Sequence, residues 1–140
     1  MKIKRVAVFA FIYEGKIFLQ ERGNYSKRGE QWAFFGGHLE EWETFLEWCK
    51  REIKEELCLD MEDRDIQFVW KFFTSISEIS QIDVEVFLSH AYEKYRANLK
   101  VMEWDSGQFF SFEEVKELKM FFHDPVIFDM IQTFLQHERN

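Results

Sequence analysis

Glu52, Glu55 and Glu56 lie within one short stretch, EIKEE, of a 140-residue chain whose formal net charge is −8. At about 100° per residue they share one stripe of a helix, and Leu46, Cys49, Ile53 and Leu57 form an apolar stripe beside it. Like charges three or four residues apart repel by roughly 0.2–0.5 kcal/mol per pair, so such a face needs a reason. It is a solvated surface, or an ion-paired one served by Lys50, Arg51 and Lys54, or a set of hard oxygen ligands for magnesium, manganese or calcium. Lys50 and Lys54 point away from the acid stripe. A zinc site of nitrogen and sulfur ligands does not suit the segment, because Cys49 belongs to the core stripe and Cys58 stands alone. Upstream, the Gly36-Gly37 pair, Glu43 near the helix start and Arg51 two turns on form a fixed-spacing constellation that a solvated face does not require. A metal would relieve the repulsion; without one, the acid stripe is expected to repel itself and lower the stability of the protein.

These residues resemble the box of the Nudix hydrolases: Gly, five residues, Glu, seven residues, then Arg-Glu-apolar-any-Glu-Glu-any-Gly-apolar. Gly37, Glu43, Arg51, Glu52, Ile53, Glu55, Glu56 and Leu59 match it over residues 37–59. Cys58 stands where the family has its second glycine, just after the helix, where a left-handed backbone is common and a side chain costs about 1 kcal/mol. Phe35 replaces a proline often found before the glycine pair, and Trp42 a frequent glycine before Glu43.

The elements around the box follow from pattern. The apolar run VAVFAFIY reads as a buried strand, and EGKIFLQ as a second strand after a Glu-Gly turn. DIQFVWKFFTS and QIDVEVFLSHAY read as strands joined by a polar turn, and QFFSF as another after the acidic turn VMEWDSG. Ser111 and Glu114 have capping-box spacing, and DPVIFDMIQTFLQH opens a terminal helix with Asp124 as cap and Pro125 in its first turn. One domain over residues 1–140 follows from the length. The resemblance implies the Nudix fold, an α/β (α+β) arrangement with a mixed β-sheet sandwiched between helices.

Seventeen Phe and five Trp supply a large core and rings able to stack on a base. The acidic balance argues against a nucleic acid polymer as partner. No apolar run approaches the roughly 20 residues that span a bilayer. The basic, apolar N-terminus lacks a small-residue cleavage site, and the two cysteines show no pairing signature. A cytoplasmic protein is expected, monomer or homodimer, with no membrane partner.

The family resemblance implies Mg2+ as cofactor, with Mn2+ as substitute, held by Glu52, Glu55, Glu56 and the Gly36 carbonyl. Glu43 and Arg51 would hold loop and helix together behind the metal site. Glu103 resembles the additional metal-binding or base glutamate of MutT-type members; its other reading is an ordinary turn carboxylate. Arg22 resembles a substrate-phosphate contact or is a surface arginine, and His123 resembles a base contact or is a helix-start residue. His38, in GGHLE, resembles the corresponding segment of relatives that clean nucleotide pools. The implied reaction is hydrolysis of a nucleoside triphosphate, canonical or oxidised, to monophosphate and pyrophosphate. The alternatives are another nucleoside diphosphate derivative, such as a nucleotide sugar or ADP-ribose, and a Nudix-fold binding module without turnover.

Overall fold

The computed structural model of the chain describes residues 2–21, 32–99, 106–118 and 124–138. Arg22, Glu103 and His123 lie outside the described residues, as does most of the acidic turn before the last strand. The strands are β1 (Lys2–Tyr13), β2 (Lys16–Glu21), β3 (Trp32–Ala33), β4 (Phe35–His38), β5 (Gln67–Ser77), β6 (Ser80–Ser89) and β7 (Ser106–Ser111). The helices are α1 (Phe45–Leu57), α2 (Tyr92–Tyr95), α3 (Phe112–Val115) and α4 (Asp124–Glu138).

The unbroken apolar character of β1 has a structural cause, since both of its faces are covered. Ala7, Phe9 and Phe11 join one buried cluster with Trp48, Cys49, Ile53 and Leu57 of α1. Val8, Ala10 and Ile12 alternate into a second cluster with Ile127, Phe128, Ile131 and Leu135 of α4. The sheet therefore lies between α1 on one side and α4 on the other. Glu14 and Gly15, at φ 52° and 73°, turn β1 into β2, and Ile12 faces Ile17 across the hairpin. Two successive positive φ angles match the twist of the flanking strands, which is why glycine serves at the second position.

Strand order runs β3-β2-β1-β6-β5, with β4 also pairing β1 and β7 pairing β2. β1 and β6 are parallel from Lys2↔Ser80 to Phe11↔Ser89, whereas β1 runs antiparallel to β4 and β2. The sheet is mixed and held between helices, as the family resemblance implies. Asp124 is buried at the start of α4, and its Oδ2 accepts the Phe34 backbone N–H at 3.1 Å. The residue expected to cap the helix stands as its first residue and ties it to the chain beside β4.

Candidate functional site

α1 forms because both of its ends are satisfied locally. The Thr44 hydroxyl accepts the Glu47 N–H and the Glu47 carboxylate accepts the Thr44 N–H, each at 3.1 Å, which closes a capping box. At the other end Cys58 takes the left-handed conformation, φ 58° and ψ 32°, with its N–H bonded to the Lys54 carbonyl at 3.1 Å. The apolar stripe is shifted from the expected one. Trp48, Cys49, Ile53 and Leu57 are buried, whereas Leu46 is only partly covered. Trp48 takes the extra place because β4 offers it a seat: a Cβ on Gly37 would lie 3.2 Å from its ring, and the Phe35 ring is 6.2 Å away. Burial raises the pKa of the Cys49 thiol well above its ordinary range, so this cysteine stays protonated and unreactive.

Glu43 is the buried charge of the site, 3% exposed. Its Oε1 accepts the Glu40 N–H and Arg51 Nη2, both at 2.8 Å, and its Oε2 accepts Arg51 Nε at 2.5 Å. Arg5 on β1 donates Nη2 to the Glu43 carbonyl at 2.7 Å and lies 4.9 Å over the Phe45 ring. The two-pronged grip of Arg51, aided by the Glu40 N–H, holds the Glu43 carboxyl below the usual carboxylate range despite its burial. The same contact raises the Arg51 guanidinium, which stays charged throughout.

Arg51 also corrects the expectation that the acid stripe repels itself unrelieved. Its Nη1 donates to Glu52 Oε1 at 2.9 Å and to Glu55 Oε2 at 3.3 Å, so one guanidinium serves three carboxylates. Lys50 and Lys54 turn elsewhere, to Asp63 at 2.6 Å and Asp60 at 2.9 Å. Glu52 and Glu56 are half-buried and Glu55 is exposed. Gly36 and Gly37 lie in β4, paired with Val8 and Ala7; a Cβ on Gly36 would sit 3.0 Å from the Ala7 carbonyl oxygen, which leaves no room for a side chain. His38 ends β4, exposed and paired with Val6.

The structure thus brings Gly36, Gly37, Glu43, Arg51, Glu52, Glu55 and Glu56 into one loop-and-helix unit. Among the described residues no three His, Cys, Asp or Glu side chains already converge as a metal cage. The donors still fit a hard divalent cation by type, since the helix offers only carboxylate oxygens and Arg51 keeps two of them oriented. Two cavities, of about 390 and 510 Å³, both border His90, and neither is lined by α1. Arg5 and Trp48 support the site and were not singled out from sequence. Trp48 was findable, because it stands four residues before Glu52 on the same stripe.

The sequence matches the NUDIX domain family over residues 3–130, and the chain belongs to that family. That family is one of hydrolases acting on nucleoside diphosphate derivatives. The fold is shared with the E. coli ORF135 protein, at TM-score 0.75 and 22% identity over 95% of this chain and 91% of that one. It is shared also with a MutT Nudix hydrolase from Burkholderia pseudomallei, at TM-score 0.71 and 18% identity over 94% and 99%. A third relative in fold is the Nudix domain of Shewanella oneidensis NrtR, solved with ADP-ribose, at TM-score 0.66 and 14% identity over 96% and 88%. None of the curated proteins matches the sequence. No helix among the described residues is long and apolar enough to cross a membrane.

Proposed function

We propose that this protein is a Mg2+-dependent pyrophosphohydrolase of nucleoside triphosphates, canonical or oxidised, releasing nucleoside monophosphate and pyrophosphate as one catalytic domain in the cytoplasm, as a monomer or homodimer. The observation that carries the reading is the unit just described: Glu52, Glu55 and Glu56 on one helix face, with Glu52 and Glu55 tied through Arg51 to buried Glu43 behind the glycine pair. A bound divalent cation would supply positive charge to the phosphoryl oxygens and hydration water close to the reacting phosphorus. Glu52, Glu55 and Glu56 would hold it, with the Gly36 carbonyl as a further oxygen and Mn2+ as substitute. Arg51 and Glu43 fix the angle between loop and helix, so the carboxylates keep one orientation while charge builds on the substrate. The reaction adds one water to phosphorus and breaks one bridging P–O bond, so a carboxylate of the acid face that accepts the water proton completes the balance. His38 stands at the rim on β4, within the same segment. The resemblance of the sequence to MutT-type members supports a triphosphate substrate, and the fold is shared with a MutT Nudix hydrolase. The ADP-ribose complex of a protein with the same fold supports the second reading, a nucleoside diphosphate derivative.

The test is a nucleotide panel assayed with Mg2+, with the products separated. Monophosphate and pyrophosphate from triphosphates are expected. Cleavage of ADP-ribose or nucleotide sugars alone would move the assignment to the second reading, and no turnover at all would leave a binding module. Glu56→Gln is expected to lower kcat by orders of magnitude while the circular dichroism spectrum stays that of the parent; full activity of that variant, or of the parent in chelator, would overturn the carboxylate assignment.

A further inference from the structure

Three of the seven large hydrophobic residues left exposed among the described residues sit on one strand, β5. Phe68 is 45% exposed, Trp70 58% and Phe73 71%. The strand is eleven residues long, ends the sheet order and pairs with β6 alone among the described strands. A long edge strand that carries exposed rings invites a partner, because its outward N–H and C=O groups can accept another strand.

The three rings do not share a face. Trp70 stands opposite Val86, which belongs to the cluster under α4, whereas Phe68 stands opposite Phe87, in the cluster under α1. Phe73 stands opposite Asp83, which alternates with Glu85 and Phe87 onto the α1 side. A partner lying on either face would leave a ring of the other face in water. A strand laid along the edge of β5 covers both sets at once and meets the outward backbone groups.

Charge and area indicate which strand. Lys71 is the one charged residue of β5, and Glu85 faces it across the ladder, so the edge offers no net charge to a nucleic acid or a charged peptide. Together the three rings leave on the order of 400 Å² of surface open, about half of the roughly 800 Å² per partner that a stable interface covers. Main chain and the side chains between the rings supply more of that area when a strand of equal length lies alongside. A second β5 meets these conditions, since antiparallel pairing of two identical strands is two-fold symmetric and closes after two chains.

We propose that β5 is a homodimer interface, at which two copies of the chain pair their β5 strands antiparallel into one continuous sheet. A two-fold axis perpendicular to the sheet keeps each residue on its own face, so it passes through a residue pair. Centred on Phe72, it sets Lys71 across from Phe73 of the second copy, an ammonium beside a ring, and Trp70 across from Thr74 of the second copy. β6 and β1 separate β5 from β4, so the pairing leaves the glycine strand of the candidate site untouched. The interface therefore stands apart from the hydrolase reading.

The test is sedimentation of the full chain over a range of concentrations, beside hydrogen exchange of the β5 amides. The parent is expected to have the mass of two chains at micromolar concentration and to dissociate on dilution. Phe73→Lys, which faces Lys71 with a second cation, is expected to weaken association at least about tenfold. Lys71→Glu combined with Phe73→Lys sets opposite charges across the axis and is expected to restore it. Val126→Lys, at an exposed apolar site on α4, should leave the mass unchanged. A monomeric parent overturns the proposal, as do association of Phe73→Lys as tight as the parent's, a double variant no tighter than Phe73→Lys, growth beyond two chains, or dissociation caused by Val126→Lys. If Phe73→Lys loses its fold by circular dichroism, exchange in the parent decides. Slower exchange of the β5 amides in the concentrated than in the diluted protein supports the interface, and equal rates overturn it.

Discussion

Glu43 carries a full charge in a place where water hardly reaches, and it keeps that charge because three N–H groups aim at its two oxygens. Removing one partner of such a contact leaves the other poorly satisfied, so Glu43→Gln is expected to cost about 2–3 kcal/mol in urea unfolding at pH 7. The pH dependence follows from the depressed carboxyl. In the unfolded chain it titrates at about 4.3, and in the folded protein below that. Its contribution is therefore fully present above the unfolded value and is lost as pH falls through the folded one. Glu62, Asp65 and Glu114 are depressed as well, by Lys94, by Tyr95 and by the Ser111 backbone, and they add acid loss of the same sign. Because those three persist in Glu43→Gln, the stability difference between parent and variant isolates Glu43. That difference should shrink from pH 6 toward pH 3; a constant gap would mean that the pair is held by something other than the ionised carboxylate.

At the scale of elements, α1 is a helix whose caps do more than its propensity. Its start depends on the reciprocal Thr44 and Glu47 bonds, and its end on a cysteine forced into a left-handed turn. Thr44→Ala should cost about 1 kcal/mol by removing the acceptor for the Glu47 N–H. Cys58→Gly should do the reverse and stabilise by about 1 kcal/mol, since glycine adopts that turn without the steric cost of a Cβ. Chemical denaturation of the two variants reads both signs, and a destabilised Cys58→Gly protein would show that the thiol contributes packing outweighing the strain. Neither change touches the acid face, so each should leave metal dependence as it is in the parent.

At the scale of the whole molecule, the sheet brings together segments distant in sequence. β2 lies against β7 from Lys16↔Ser111 to Glu21↔Ser106, and there Gly107 passes beneath the Phe18 ring. A Cβ at Gly107 would fall 2.0 Å from Phe18 Cζ, inside the ring's own volume, and Phe18 is buried among its neighbours. Gly107→Ala should therefore destabilise by about 1–3 kcal/mol, through displacement of the ring or of β7. The paired variant Gly107→Ala with Phe18→Leu should recover part of that loss, and equal stability of the single variant and the parent would contradict the close approach.

The sequence by itself determined what is local. Periodicity placed the strands of the β5–β6 hairpin, the box helix and the terminal helix, because alternation and the 3.6-residue repeat are imposed by the chain's own geometry. Capping chemistry placed Ser111 with Glu114 for the same reason, and the hydroxyl and carboxylate bonds form as spaced. The box spacing brought the chain to its family, whose fold the described residues share. Tertiary structure alone decided the rest. Trp48 joins the core and Leu46 packs only at its margin because Gly37 and Phe35 of β4 leave Trp48 a seat, and helix periodicity cannot see a neighbouring strand. The box already paired Arg51 with Glu43; that the same guanidinium is at once gripped by Glu43 and within reach of Glu52 and Glu55 is decided by how the loop folds back onto the helix. Gln20 reads in sequence as one polar residue in a strand, and the pairing of β2 with β3 and β7 buries its amide. Such contacts depend on which distant segment arrives opposite, and that is fixed by the packing of the whole sheet between its helices rather than by any residue's own preference.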